Sequence, residues 1–157
     1  MNGCCSGTHI SNQVVELSCC DPQQAAAALP LAEPLLRSAL AHTGIGDYRD
    51  IENGILAGEQ LLWLALSGRD TLAAASTQLQ SSAVGKICVI TACGGRAIRE
   101  WLHLIEKIES YATAEGCERV RYFGRRGWLR ELEGYSQVGV IADKPLTESS
   151  KTLILQA

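Results

Sequence analysis

The stretch from Gly85 to Leu146 restricts the fold more than any other part of this chain. It reads as strand, glycine pair, long amphipathic helix, strand, short arginine-rich helix, strand. Lys86–Thr91 is a short apolar run, followed directly by Cys93-Gly94-Gly95-Arg96. From Ala97 to Glu115, Ile98, Trp101, Leu102, Ile105, Ile108 and Ala112 fall on one helical stripe. Arg99, Glu106, Lys107 and Glu109 lie mostly off it. Gly116 stops that helix, and Cys117–Phe123 reads as a strand parallel to Lys86–Ala92 through a right-handed crossover. Gly127–Glu133 reads as a short helix and Tyr135–Asp143 as a last strand. The order implies an α/β fold. A glycine turn feeding a helix whose first N–H groups lack internal partners can cradle a phosphate or other anion. The reading preferred from sequence is nonetheless a plain strand-to-helix turn, since short glycine motifs are weak signals.

The upstream half supplies the rest of a sheet. Gln13–Cys19 reads as a first strand, and Asp21-Pro22 as a helix start. Pro30 and Pro34 are expected to break that helix, with a restart at Pro34 running through His42 to Gly44. Asp47 is placed to cap a second helix whose Tyr48, Ile51 and Ile55 share a face. Gln60–Ser67 is apolar on both faces, as a covered central strand is. Gly68-Arg69-Asp70 turns the chain back into Thr71–Gln80. The expected organisation is an N-terminal arm over 1–12, a single domain over 13–146 and a C-terminal tail over 147–157. The cysteine-rich start and the apolar Leu153–Leu155 are expected to dock on neighbouring copies or another protein.

At 157 residues, with 46% apolar and 20% charged content, the chain can build a real core. Its net charge of −3 argues against a protein that coats nucleic acid. No apolar run is long enough to span a membrane, and the first residues lack a basic region and secretory core, so export by signal peptide is not expected. Cys4-Cys5 and Cys19-Cys20, with His9 between them, raise the question of zinc. No C-x-x-C spacing exists, and adjacent side chains in extended chain point apart, so no metal site is expected. Cys88, Cys93 and Cys117 read as small buried hydrophobes in a reducing, cytosolic setting. Arg119, Arg121, Arg125, Arg126 and Arg130 form the strongest charge cluster. With Trp128 they suggest a partner-binding surface, centred on Arg125, Arg126, Trp128 and Arg130. The alternative is a solvated face balanced by Glu118, Glu131 and Glu133.

The order of elements over about residues 13–146 resembles the GNAT (N-acetyltransferase) superfamily. The motifs that carry it are Ile90–Arg96 (Ile-Thr-Ala-Cys-Gly-Gly-Arg) and Trp128–Gly139 (Trp-Leu-Arg-Glu-Leu-Glu-Gly-Tyr-Ser-Gln-Val-Gly). The phrases at Ala92–Gly95, Ala114–Cys117 and Gly124–Leu129 also look like small GNAT-like proteins of tailed bacteriophages and prophages. The resemblance implies a mixed central sheet of about six to seven strands with helices on both faces. It also implies a split between two parallel strands that receives acetyl-CoA, with Cys93, Gly94, Gly95 and Arg96 at the pyrophosphate.

Two departures shape the functional expectation. Of the family's Gln/Arg-x-x-Gly-x-Gly/Ala loop, aligned on Gly94, one glycine survives; Thr91 stands first and Arg96 last. The family's acid tyrosine falls on Arg130, which cannot give up a proton, and Tyr135 takes a packing position. The expected protein is therefore non-catalytic, without catalytic residues or cofactor. It would be an assembly part that binds other virion proteins or its own copies, in the host cytoplasm or the assembled virion. The alternative is an acetyl-CoA-dependent N-acetyltransferase acting on an amine. That reading requires an opening near Thr91 and Phe123 that Arg96 and Trp101 do not plug.

Overall fold

The computed structural model describes residues 14–146. The expected arm (1–12) and tail (147–157), and with them Cys4, Cys5 and His9, lie outside the described residues. The chain order is β1 (Val15–Cys19), α1 (Ala25–Thr43), α2 (Tyr48–Leu56), β2 (Gln60–Ser67), β3 (Asp70–Ser82) and β4 (Gly85–Gly95). There follow α3 (Ile98–Trp101), a 3-10 turn over Leu102–Leu104, α4 (Ile105–Ala114), β5 (Arg119–Tyr122) and a 3-10 helix over Arg126–Arg130.

The sheet order is β1-β2-β3-β4-β5. Its first three pairings are antiparallel, and β4–β5 is parallel. α1 and α2 cover one face, where Leu29, Leu36, Leu40, Tyr48, Ile51 and Ile55 meet Leu62, Leu64 and Ala92. Trp101, Leu104, Ile108 and Ala112 close the other against Trp63, Ala75, Cys88, Ile90 and Cys93. Asp47 caps α2 by accepting from the Arg49 N–H at 2.9 Å. Gly44 ends α1 in the left-handed region, its N–H donating to the Leu40 carbonyl at 2.8 Å.

Four expectations need correction. The sheet has five strands among the described residues, not six to seven. Tyr135–Asp143 forms no strand; its Val138 and Val140 are 71% and 87% exposed. Alternating β-branched residues report fit to a sheet surface, and here no neighbouring strand accepts them. α1 is not broken at Pro30 and Pro34 but runs through both. The two prolines are one turn apart and exposed, as is Ala26, so water can reach the carbonyls they leave without donors. Finally, the helix expected over Ala97–Glu115 is interrupted. The 3-10 turn winds three residues per turn rather than 3.6, which brings Leu104 into the core and leaves Leu102 half-buried.

Among the described residues no helix is long and apolar enough to cross a membrane.

Candidate active site

β4 carries one extra residue against β3. Ser76 pairs with Ala92 and Thr77 with Ile90, so Thr91 bulges out of register. A bulge bends and twists its strand. On the opposite edge, β4 pairs with β5 only from Ile87 to Ile90, against Arg119 to Tyr122. Beyond that point the two strands part, and β4 continues alone on this side for five residues.

The Arg96 N–H donates to the Leu72 carbonyl at 2.9 Å. Hydrogen bonding in an antiparallel ladder alternates, so the N–H groups of Cys93 and Gly95 point away from β3, toward the open side. They face a cleft of about 360 Å³, walled by the C-terminal half of α1, the end of β4, Tyr122–Arg125 and Trp128. That volume falls within the roughly 300–1,000 Å³ of small-molecule sites.

The glycine pair is not the strand-to-helix turn expected from sequence. Both glycines belong to β4. A Cβ on Gly94 would meet the Leu35 carbonyl oxygen at 2.5 Å and the Ala39 methyl at 3.0 Å, so glycine here lets α1 lie against the sheet. A Cβ on Gly95 would strike the Leu72 carbonyl oxygen and Ala73. Close packing therefore explains both glycines without a phosphate. Arg96 is exposed at the mouth and does not line the cleft. Trp101 is buried beneath it, its indole N–H donating to the Arg96 carbonyl at 2.8 Å. Neither plugs the gap.

The four residues assigned to a partner surface separate. Trp128 stacks on Tyr122 (5.0 Å between centroids, 6° between planes) and meets Trp101 edge-on at 5.8 Å, in the cleft wall. Arg125 reaches the cleft, whereas Arg126 and Arg130 are exposed on the 3-10 helix. No ion pair among the described residues joins this cluster to Glu118, Glu131 or Glu133. Tyr135 donates its hydroxyl hydrogen bond to Glu109 at 3.0 Å and holds the chain to α4.

Sequence reasoning missed Tyr122. It shares the inner face of β5 with Val120 and ends the strand where the cleft opens. Its hydroxyl packs onto Gly124, where any Cβ would collide with it. Burial pushes its phenol well above the ordinary range, with Cys93 adding to the rise and the Arg125 backbone partly opposing it. The hydroxyl therefore keeps its proton and is a donor at every physiological pH. Cys93 also borders the cleft, but burial pushes its thiol up to about 12, so it is no nucleophile at neutral pH. The cleft lining includes neither a carboxylate nor a histidine.

No protein-family profile and no curated protein matches the sequence. Solved structures do resemble the fold. An aminoglycoside acetyltransferase, meta-AAC0020, from an uncultured soil metagenomic sample, in complex with sisomicin, superposes with a TM-score of 0.64 at 10% identity, over 86% of this chain and 97% of that one. AAC(6')-Iy, in complex with a CoA-containing bisubstrate analogue, gives 0.62 at 11% identity, over 85% and 98%. Ribosomal-protein-alanine N-acetyltransferase of Brucella melitensis gives 0.57 at 11%, over 85% and 98%. The chain has a GNAT fold. The finding overturns the expectation of a non-catalytic virion assembly part: the similar structures named here are acetyltransferases.

Proposed function

We propose that this GNAT-fold protein is an acetyl-CoA-dependent N-acetyltransferase acting on an amine. The observation that carries the reading is the parting of β4 from β5 beyond Ile90 and Tyr122, which leaves strand backbone exposed to a cleft that neither Arg96 nor Trp101 fills. Bound there, acetyl-CoA supplies the activated acetyl group. The outward N–H groups of Cys93 and Gly95 offer an extended ligand the hydrogen bonds that a longer β5 would otherwise take. Arg125, at the cleft, and Arg96, at its mouth, place positive charge where phosphates would enter.

Tyr122 takes the proton-donor role that Arg130 cannot fill. Its ring stands in the wall of the cleft, aromatic face against Trp128; its O–H hands a proton to the departing thiolate, and the proton shed by the acylated nitrogen restores the phenol. With no carboxylate or histidine in the lining, the amine enters as its free base, and the rate rises with pH through the amine's own titration.

Isothermal titration with acetyl-CoA, together with thiol release in the presence of sisomicin or a peptide with N-terminal alanine, tests the reading. Micromolar binding and amine-dependent thiol release are expected. Failure to bind acetyl-CoA at millimolar concentration would sink it.

A further inference from the structure

Three hydroxyl and amide side chains line up across three strands at the level of the bulge. Gln60 opens β2, Ser76 lies in β3 and Thr91 is the bulged residue of β4. Ser76 is fully buried and Gln60 is 9% exposed, whereas Thr91 is half-buried and borders the cleft. The Thr91 hydroxyl donates to Gln60 Oε1 at 2.8 Å and is hydrogen-bonded to Ser76 Oγ. Both acceptors within reach of its one proton, Gln60 Oε1 and the Ser76 carbonyl oxygen at 3.3 Å, belong to buried residues, so the proton turns inward and Ser76 Oγ serves as the donor in the second bond. A hydroxyl oxygen has one proton and two lone pairs, so one lone pair of Thr91 is left over. α2 locks Gln60 in this role: a Cβ at Gly54 would meet Gln60 Nε2 at 2.7 Å, so the side chain lies flat against that helix.

We propose that Thr91 is a fixed hydrogen-bond acceptor at the point where β4 and β5 part, with Gln60 as the positioning residue that turns its proton inward, and that it takes an N–H of the bound ligand. The inference rests on the acetyltransferase reading and deepens it. A site that offers a lone pair and withholds a proton favours an N–H donor over a carbonyl or ether oxygen at that spot. Two ligand groups fit: an amide of the cofactor's pantetheine arm, and the attacking amine.

The test uses the full chain with Thr91→Val, Thr91→Ser, Gln60→Met and the Thr91→Val/Gln60→Met double variant. Thermal unfolding first establishes that each is folded. Acetyl-CoA affinity is read by titration, and KM for sisomicin or an N-terminal-alanine peptide by thiol release. If the pantetheine amide is the donor, Thr91→Val weakens acetyl-CoA binding about five- to tenfold. If the amine is the donor, acetyl-CoA affinity holds and KM for the amine rises by that factor. In either case Thr91→Ser stays within about twofold of the parent. Gln60→Met shows the same selective loss, and the double variant is no worse than Thr91→Val, because both changes remove one interaction. Parent-like values for Thr91→Val in both arms, or additive losses in the double variant, overturn the proposal while leaving the acetyltransferase reading intact. A parent protein that neither binds acetyl-CoA nor releases thiol defeats both.

Discussion

Gly94→Ala separates two explanations of the glycine pair. Gly94 does not occupy the left-handed region, so its backbone conformation is open to alanine. Were there room, the substitution would stabilise the protein by about 0.4–1 kcal/mol through the unfolded chain. There is no room: the new methyl lands 2.5 Å from the Leu35 carbonyl oxygen and 3.0 Å from the Ala39 methyl. The first contact is with helix backbone, which cannot rotate aside, so α1 must move off the sheet. Overpacking of this kind costs about 1–3 kcal/mol. The two contributions leave a net loss centred on ~1.3 kcal/mol and reaching at most about 2.6 kcal/mol, and the central value lowers Tm by about 3–5 °C in a domain of this size. Thermal unfolding followed by circular dichroism measures it, with urea titration at 25 °C as the second readout. An unchanged or raised Tm, combined with loss of acetyl-CoA binding, would refute the argument and return the glycine to the ligand.

Three further outcomes follow from the same geometry. Tyr122→Phe keeps acetyl-CoA affinity within about twofold but lowers amine-dependent thiol release by about a hundredfold or more, as removal of a proton donor does. Cys93, buried, sits at about 12 against 9.0 in the open chain, so its contribution to stability is intact below pH 9. As pH rises from 9 toward 12 the unfolded chain sheds the proton first, and stability falls by about 1.4 kcal/mol per pH unit from this group. Urea titrations at pH 8 and 10 should show a smaller difference for Cys93→Ala than for the parent. Pro30→Ala supplies α1 with a missing N–H on its solvent face, and unfolding should show a higher Tm, since the helix gain outweighs the loss of proline's restraint on the unfolded chain.

Local chemistry made much of the fold legible. Asp47 with Tyr48, Ile51 and Ile55 marked α2, and the doubly apolar Gln60–Ser67 marked a covered strand; both stand where the sequence places them. Parallel β4 and β5 followed from one amphipathic segment between two apolar runs. What escaped depends on neighbours distant in the chain. Helix-breaking at Pro30 and Pro34 is a local rule, overridden because Leu29, Ala32, Leu36 and Leu40 all bury against the sheet. The glycine pair looked like a turn because nothing in sequence shows that Leu35 presses on Gly94. The hydroxyl ladder draws on residues 31 positions apart between Gln60 and Thr91, and its pairing needs the register shift at Ser76. Tyr122 had one readable signal, an aromatic at the carboxyl end of a parallel strand, where open α/β sheets place their ligands.

The stacking of Trp128 on Tyr122 gives this protein an optical property of its own. Two of its three indoles, Trp101 and Trp128, sit at or beneath the cleft, while Trp63 lies apart, its N–H on Thr77 and its ring edge-on to Tyr111. A guest that shields or tilts Trp128 changes the polarity around one emitter and leaves another as a steady internal reference. Occupancy of the cleft can thus be followed by ultraviolet emission alone, on unlabelled protein and before any substrate is known.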